Sequence, residues 1–89
     1  MLRLTRAPHS PSGVVLKAEG QIVAEWVALL EKECRELLGG DQSVVLDLGS
    51  VSYLDRRAVH AIRELTRGSL SVVNCPPLVE ELLNEDLAE

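Results

Sequence analysis

The stretch Val44–Thr66, VVLDLGSVSYLDRRAVHAIRELT, constrains the fold of this chain more than any other. It opens within SVVLDL, a short and nearly continuous apolar run of the kind found in strands buried on both faces. Beyond Asp55, the residues Ala58, Val59, Ile62 and Leu65 recur at spacings of three and four, which marks one face of an amphipathic helix ending near Gly68. Such a helix buries its stripe against the sheet that the strand belongs to. A chain that then returns to the same sheet makes a right-handed crossover.

The rest of the chain repeats this logic. Leu2 and Leu4 alternate with Arg3 and Thr5, APHSPSG breaks the alternation, and VVLKA resumes it, which predicts two strands joined by a loop longer than a tight turn. Val23, Trp26, Val27, Leu30, Cys34, Leu37 and Leu38 predict a helix over Gln21–Leu38, stopped by Gly39-Gly40. SLSVV reads as another strand. PPLVEELLNEDL reads as a third helix, with Pro77 in its first turn and Leu78, Val79, Leu82 and Leu83 facing inward. The expected fold is α/β, one domain over residues 1–89 in the order β-β-α-β-α-β-α. Its four-stranded mixed sheet has an antiparallel N-terminal edge strand and helices mainly on one face.

Composition narrows the function. The 89 residues hold one tryptophan, one tyrosine and no phenylalanine, which argues against base-stacking platforms for single-stranded nucleic acid. A net charge of −5 without a basic tract argues against electrostatic binding of nucleic acid or of an anionic membrane. No run approaches the roughly 18 apolar residues of a membrane span, and no signal-peptide pattern opens the sequence, so a cytoplasmic protein without membrane insertion is expected. Cys34 and Cys75 are far apart and lack ligand spacing, which fits a reducing compartment while leaving a disulfide open.

Few residues carry chemistry. Asp55 stands where an N-cap belongs. Asp47, inside an apolar strand, needs a partner such as a helix terminus, a lysine or an arginine. Arg56 and Arg57 open a helix against its dipole; they either bind an anion with the helix N–H groups or are solvated surface residues. His60 lies one turn on, and His9 lies in a loop; neither has metal-ligand spacing, and no metal or cofactor is expected. Ser50 and Ser52 read as turn serines in the connection before the helix, without a nucleophile elbow or base partner. Cys75 precedes two prolines with no resolving cysteine beside it.

The element order and the run VVLDLGSVSYLD resemble the STAS family of sulfate-transporter and anti-sigma-factor-antagonist domains, through Val44–Leu46, Asp47, Leu48, Val51, Tyr53, Leu54 and Asp55. EGQI before the first helix and SVVNCPPLVEELL later in the chain are similar as well. The resemblance implies a serine or threonine two residues after the motif aspartate, phosphorylated by a partner kinase to switch binding off. That position is Arg57 here, the preceding hydroxyl position is Arg56, and the glycine position is Ala58. A phosphate adds about −1.5 to −2 charges, so a cationic arginine does not mimic it. The chain also ends where family members usually add a strand and a helix, which would leave a sheet edge open.

The resemblance implies a non-catalytic protein–protein interaction module for signalling or transcription regulation. Its partner would be an anti-sigma factor or serine-kinase-like protein, bound through Tyr53, Asp55, Arg56, Arg57 and His60. Two alternatives stay open: an accessory subunit that binds the ATPase of a membrane ABC lipid transporter, and a domain that binds an anion or small ligand. The open edge adds an expectation of a homodimer formed by strand addition.

Overall fold

The computed structural model describes residues 2–10, 13–40, 43–68 and 70–87, with side chains at all of these but 9, 10 and 85–87. Its order is β1 (Leu2–Ser10), β2 (Gly13–Ile22), α1 (Glu25–Leu38), β3 (Ser43–Leu54), α2 (Arg56–Thr66), β4 (Leu70–Val73) and α3 (Pro77–Leu87). The strands lie in the order β1-β2-β3-β4. β1 is antiparallel to β2, while β2–β3 and β3–β4 are parallel pairs. A sequential strand order with right-handed crossovers sends each helix to the same side. α2 accordingly touches both α1 and α3.

One core lies between this helical layer and the sheet. Leu16, Ile22, Leu46, Leu48 and Leu54 from the strands meet Val27, Leu30, Cys34, Ile62 and Val79 from the helices, all at 1 % exposure or less. Leucine, valine, isoleucine and alanine fill it, as the shortage of aromatics requires. Truncating a residue such as Leu46 or Ile62 to alanine costs about 2–5 kcal/mol.

Several expected boundaries are corrected. β1 runs through Pro8 to Ser10, with Pro8 opposite Val14 and Ser10 opposite Gly13, so the hairpin connection is shorter than the APHSPSG break implied. Proline is tolerated there because β1 is an edge strand. The helix expected from Gln21 begins at Glu25, since Gln21 and Ile22 pair with Tyr53 and Leu54 as part of β2. The strand expected to be buried on both faces is longer, and it alternates: Val44, Leu46 and Leu48 are buried, Val45 and Asp47 only half-buried. That second face carries the cross-strand row Thr5, Lys17, Asp47 and Val73, and among the described residues the helices pack on the opposite face, where the core lies. Leu78, expected to point inward, is 51 % exposed, because it falls off the stripe that Val79, Leu82 and Leu83 turn toward the core.

Candidate functional site

The parallel register sets Gln21 beside Tyr53 and Ile22 beside Leu54, so β2 and β3 end together. Their two onward chains therefore turn into helices at one place. From β2 the turn is Val23–Trp26, closed by the Trp26 N–H donating to the Val23 carbonyl at 3.0 Å. Ala24 occupies its second position at φ 50° and ψ −125°, a conformation that favours glycine. Ala24 is also the N-cap position of α1, and its side chain cannot cap.

Asp55 holds the corner together. Its Oδ1 accepts from the Ala58 N–H at 2.8 Å, the N-cap bond expected for α2. Its Oδ2 accepts from the Ala24 N–H, also at 2.8 Å. The Asp55 N–H donates to the Ile22 carbonyl at 3.2 Å, and the Val59 N–H donates to the Asp55 carbonyl at 3.0 Å. One residue thus ties the starts of α1 and α2 to the end of β2.

Around this anchor the expected site residues fall into two groups. Asp55 is half-buried and fully engaged with backbone, whereas Tyr53, Arg56, Arg57 and His60 are exposed. Tyr53 is 43 % exposed, a high value for the chain's single tyrosine. The other candidates lie elsewhere. Ser50 and Ser52 are not in a connection but on β3, where the Ser52 hydroxyl donates to the Gly20 carbonyl at 3.3 Å. Asp47 is only half-buried; its Oδ1 accepts from the Gly49 N–H at 2.8 Å, so its partner is backbone rather than a helix end, lysine or arginine. This is where β4 stops pairing with β3, and the carboxylate serves a backbone donor just past that point.

The cysteines are free thiols, Cys34 buried and Cys75 half-buried. Burial, then the Glu33 and Glu31 carboxylates, push Cys34 up to about 12. Burial and Glu80 raise Cys75. Neither environment makes a reactive thiolate. Among the described residues no group of three or more His, Cys, Asp and Glu is placed to hold a metal. The side chain of His9 lies outside the described ones. No helix among the described residues is long and apolar enough to cross a membrane.

Sequence reasoning missed the Val23–Ala24 turn as part of this corner, since alanine carries no capping signal. It also missed the exposed Val73 and Leu78.

The sequence profile of the STAS domain matches residues 5–85. The chain belongs to the STAS domain family. No curated protein matches it. Among solved structures, an anti-sigma factor antagonist from Mycobacterium paratuberculosis superposes with a TM-score of 0.81 at 15 % identity, covering 99 % of this chain and 80 % of that one. The unphosphorylated form of the anti-sigma factor antagonist SpoIIAA gives 0.68 at 16 % identity, covering 92 % and 82 %. The structure of Mglu gives 0.70 at 21 % identity, covering 84 % of this chain and 20 % of that chain. At these identities the likeness establishes the fold: a STAS domain built like the anti-sigma factor antagonists.

Proposed function

We propose that this STAS domain is a non-catalytic binding module that docks a signalling protein through the corner where α2 begins. One observation supports this reading above others. Asp55 bonds to the backbone at both Ala24 and Ala58, and around that fixed point Tyr53, Arg56, Arg57 and His60 are exposed. Tyrosine and arginine are the side chains that most often anchor interfaces, and a corner already held in place loses little freedom on binding. Two arginines on a chain of net charge −5 favour a partner with an acidic patch, setting specificity and encounter rate more than raw affinity. The corner offers no nucleophile beside a base.

The structural likeness to anti-sigma factor antagonists supports an anti-sigma factor or serine-kinase-like regulator as the partner class. Arg57 stands where antagonists of this family carry the switching hydroxyl, so the corner works in recognition without phosphate control at that position. The test is a pull-down from the native cytoplasm with wild type and an Arg56→Ser/Arg57→Ser variant, with bound proteins identified by mass spectrometry. A kinase-like regulator retained by wild type and depleted about tenfold or more by the variant supports the reading, a loss of about 1.4 kcal/mol. Equal recovery by both proteins moves the function to another face.

A further inference from the structure

We propose that two copies of this domain pair weakly through the free edge of β1, the two strands running antiparallel about a two-fold axis at Leu4. The inference is independent of the partner reading above, because it uses the sheet edge and not the Asp55 corner. β1 is nine residues long and lies at one edge of the sheet, whereas β4, at the other edge, has four residues. A long edge presents a row of backbone donors and acceptors to any strand that matches its register.

The pairing of β1 with β2 fixes which groups point outward. In an antiparallel pair, successive residues turn their N–H and C=O alternately toward the partner strand and away from it. Pro8 lies opposite Val14 and has no N–H to give, and proline is accommodated where that N–H would face away from the ladder. Leu2, Leu4 and Arg6 share its phase, so their N–H and C=O groups aim at the open edge. Charged side chains normally guard such an edge. Here the charge is drawn onto α1: Arg6 Nε donates to Glu33 Oε2 at 3.0 Å, and its Nη2 reaches Glu36 Oε2 at 3.4 Å.

Register selects the axis. An axis at Arg6 sets two arginines opposite each other, and one at Thr5 matches Leu2 with Pro8, which lacks a donor. An axis at Leu4 pairs Leu4 with Leu4, and Leu2 with Arg6 of the second copy, each pair exchanging two hydrogen bonds. Pro8 then ends the ladder on both sides. α1 overlooks this edge with Leu29, 37 % exposed, and Leu4, Arg6, Leu29 and Glu33 line a shallow groove there. The same axis brings the two grooves together, so the contact that satisfies the backbone also covers apolar surface. The edge is thus complementary to itself.

Size sets the strength. Five paired residues span about 17 Å, and sheet edge plus helix are about 20 Å deep, which gives roughly 340 Å² per copy. The total of about 700 Å² falls below the roughly 1,200 Å² of stable complexes, and a dissociation constant on the order of 0.1 mM is expected.

Sedimentation equilibrium of the purified chain tests this. At such an affinity about 15 % of chains are paired at about 10 μM and about 80 % at about 1 mM. Over the same range, amide exchange followed by NMR is expected to slow about fourfold at Leu4 and Arg6, and to stay unchanged at Thr5, whose N–H faces β2. Leu4→Lys alone and Leu4→Glu alone each lose the dimer by setting like charges across the axis, whereas a mixture of the two associates. Circular dichroism verifies that both variants are folded. A dimer that survives both substitutions, a mixture no stronger than its parts, or slowed amides confined to another element overturns the inference. A wild type still monomeric at about 1 mM also overturns it, and leaves the edge to an extended segment of another protein.

Discussion

The Asp55 carboxylate accepts a hydrogen bond at 2.8 Å from the backbone N–H of Ala24, a residue 31 positions earlier in the chain. The same side chain caps α2 through Ala58, so two helix starts depend on one carboxylate. Asp55→Ala removes both bonds and strands a partly shielded N–H, costing about 2–3 kcal/mol. Asp55→Asn keeps one acceptor oxygen but turns an amide N–H toward a backbone donor, costing about 1–2 kcal/mol. Urea unfolding of the three proteins checks this; an Asp55→Ala midpoint indistinguishable from wild type would mean that neither bond contributes to stability.

Ala24 bears a strain that its neighbours impose. At φ 50° and ψ −125° its Cβ sits in a conformation that glycine adopts freely and alanine does not. The β2–β3 register and the bond to Asp55 hold it there. Ala24→Gly is expected to stabilise the domain by about 1 kcal/mol, raising its melting temperature by about 4–8 °C. Most glycine substitutions next to a helix lower the melting temperature, so a decrease here would count against the strain.

These two residues show where sequence reasoning stops. The cap at Asp55 was legible because its partner lies three positions ahead, within the local rules of helix termini. The bond to Ala24 was not, because it exists only once β2 and β3 are laid side by side in register. The same non-local pairing moved Gln21 and Ile22 from helix to strand, although Val23 and Trp26 carry a helical spacing. The element order followed from periodicity; the helices on one face followed from crossover handedness once a sequential strand order was assumed, and the sheet has that order. The expectation that β3 is buried on both faces failed because Val45 faces the side of the sheet opposite the helices. Tyr53, Arg56, Arg57 and His60 could be placed along one strand and helix from their positions in the chain, and all four are exposed, whereas Leu78, read as inward-facing on the third helix with Val79, Leu82 and Leu83, is exposed.

Gly49, on β3, sits tightly against Asn74, the residue after β4. A Cβ there would lie 3.1 Å from Asp47 Oδ1 and 3.4 Å from the Asn74 Cβ. Asp47 Oδ1 is the acceptor for Gly49's own N–H, so Gly49→Ala presses the carboxylate off its donor. The expected cost is about 1–2 kcal/mol. In an Asp47→Ala background the obstructing oxygen is gone, and the same change costs about 1 kcal/mol less. A double-mutant cycle in urea measures that coupling; strictly additive effects would show that the two residues do not act through this contact.

Cys34 and Cys75 should separate cleanly by reactivity and by pH. Cys34 has 0 % exposure and is pushed up to about 12 by burial and by Glu33 and Glu31, while Cys75 is half-buried and raised by burial and Glu80. Alkylation of the native protein is expected at Cys75 first, with Cys34 labelled only on unfolding. The linkage has a definite sign. Below the ordinary thiol value of 9.0 both folded and unfolded Cys34 keep the proton, and its contribution to stability is constant. Above it the unfolded thiol ionises while the buried one does not, so stability falls as pH rises from about 9 toward about 12. The informative quantity is the difference in slope between wild type and Cys34→Ala. The variant starts less stable because it leaves a small void, yet its stability declines less steeply above pH 9. Parallel slopes in denaturant titrations across that range would show that Cys34 ionises as readily in the folded chain as in the unfolded one.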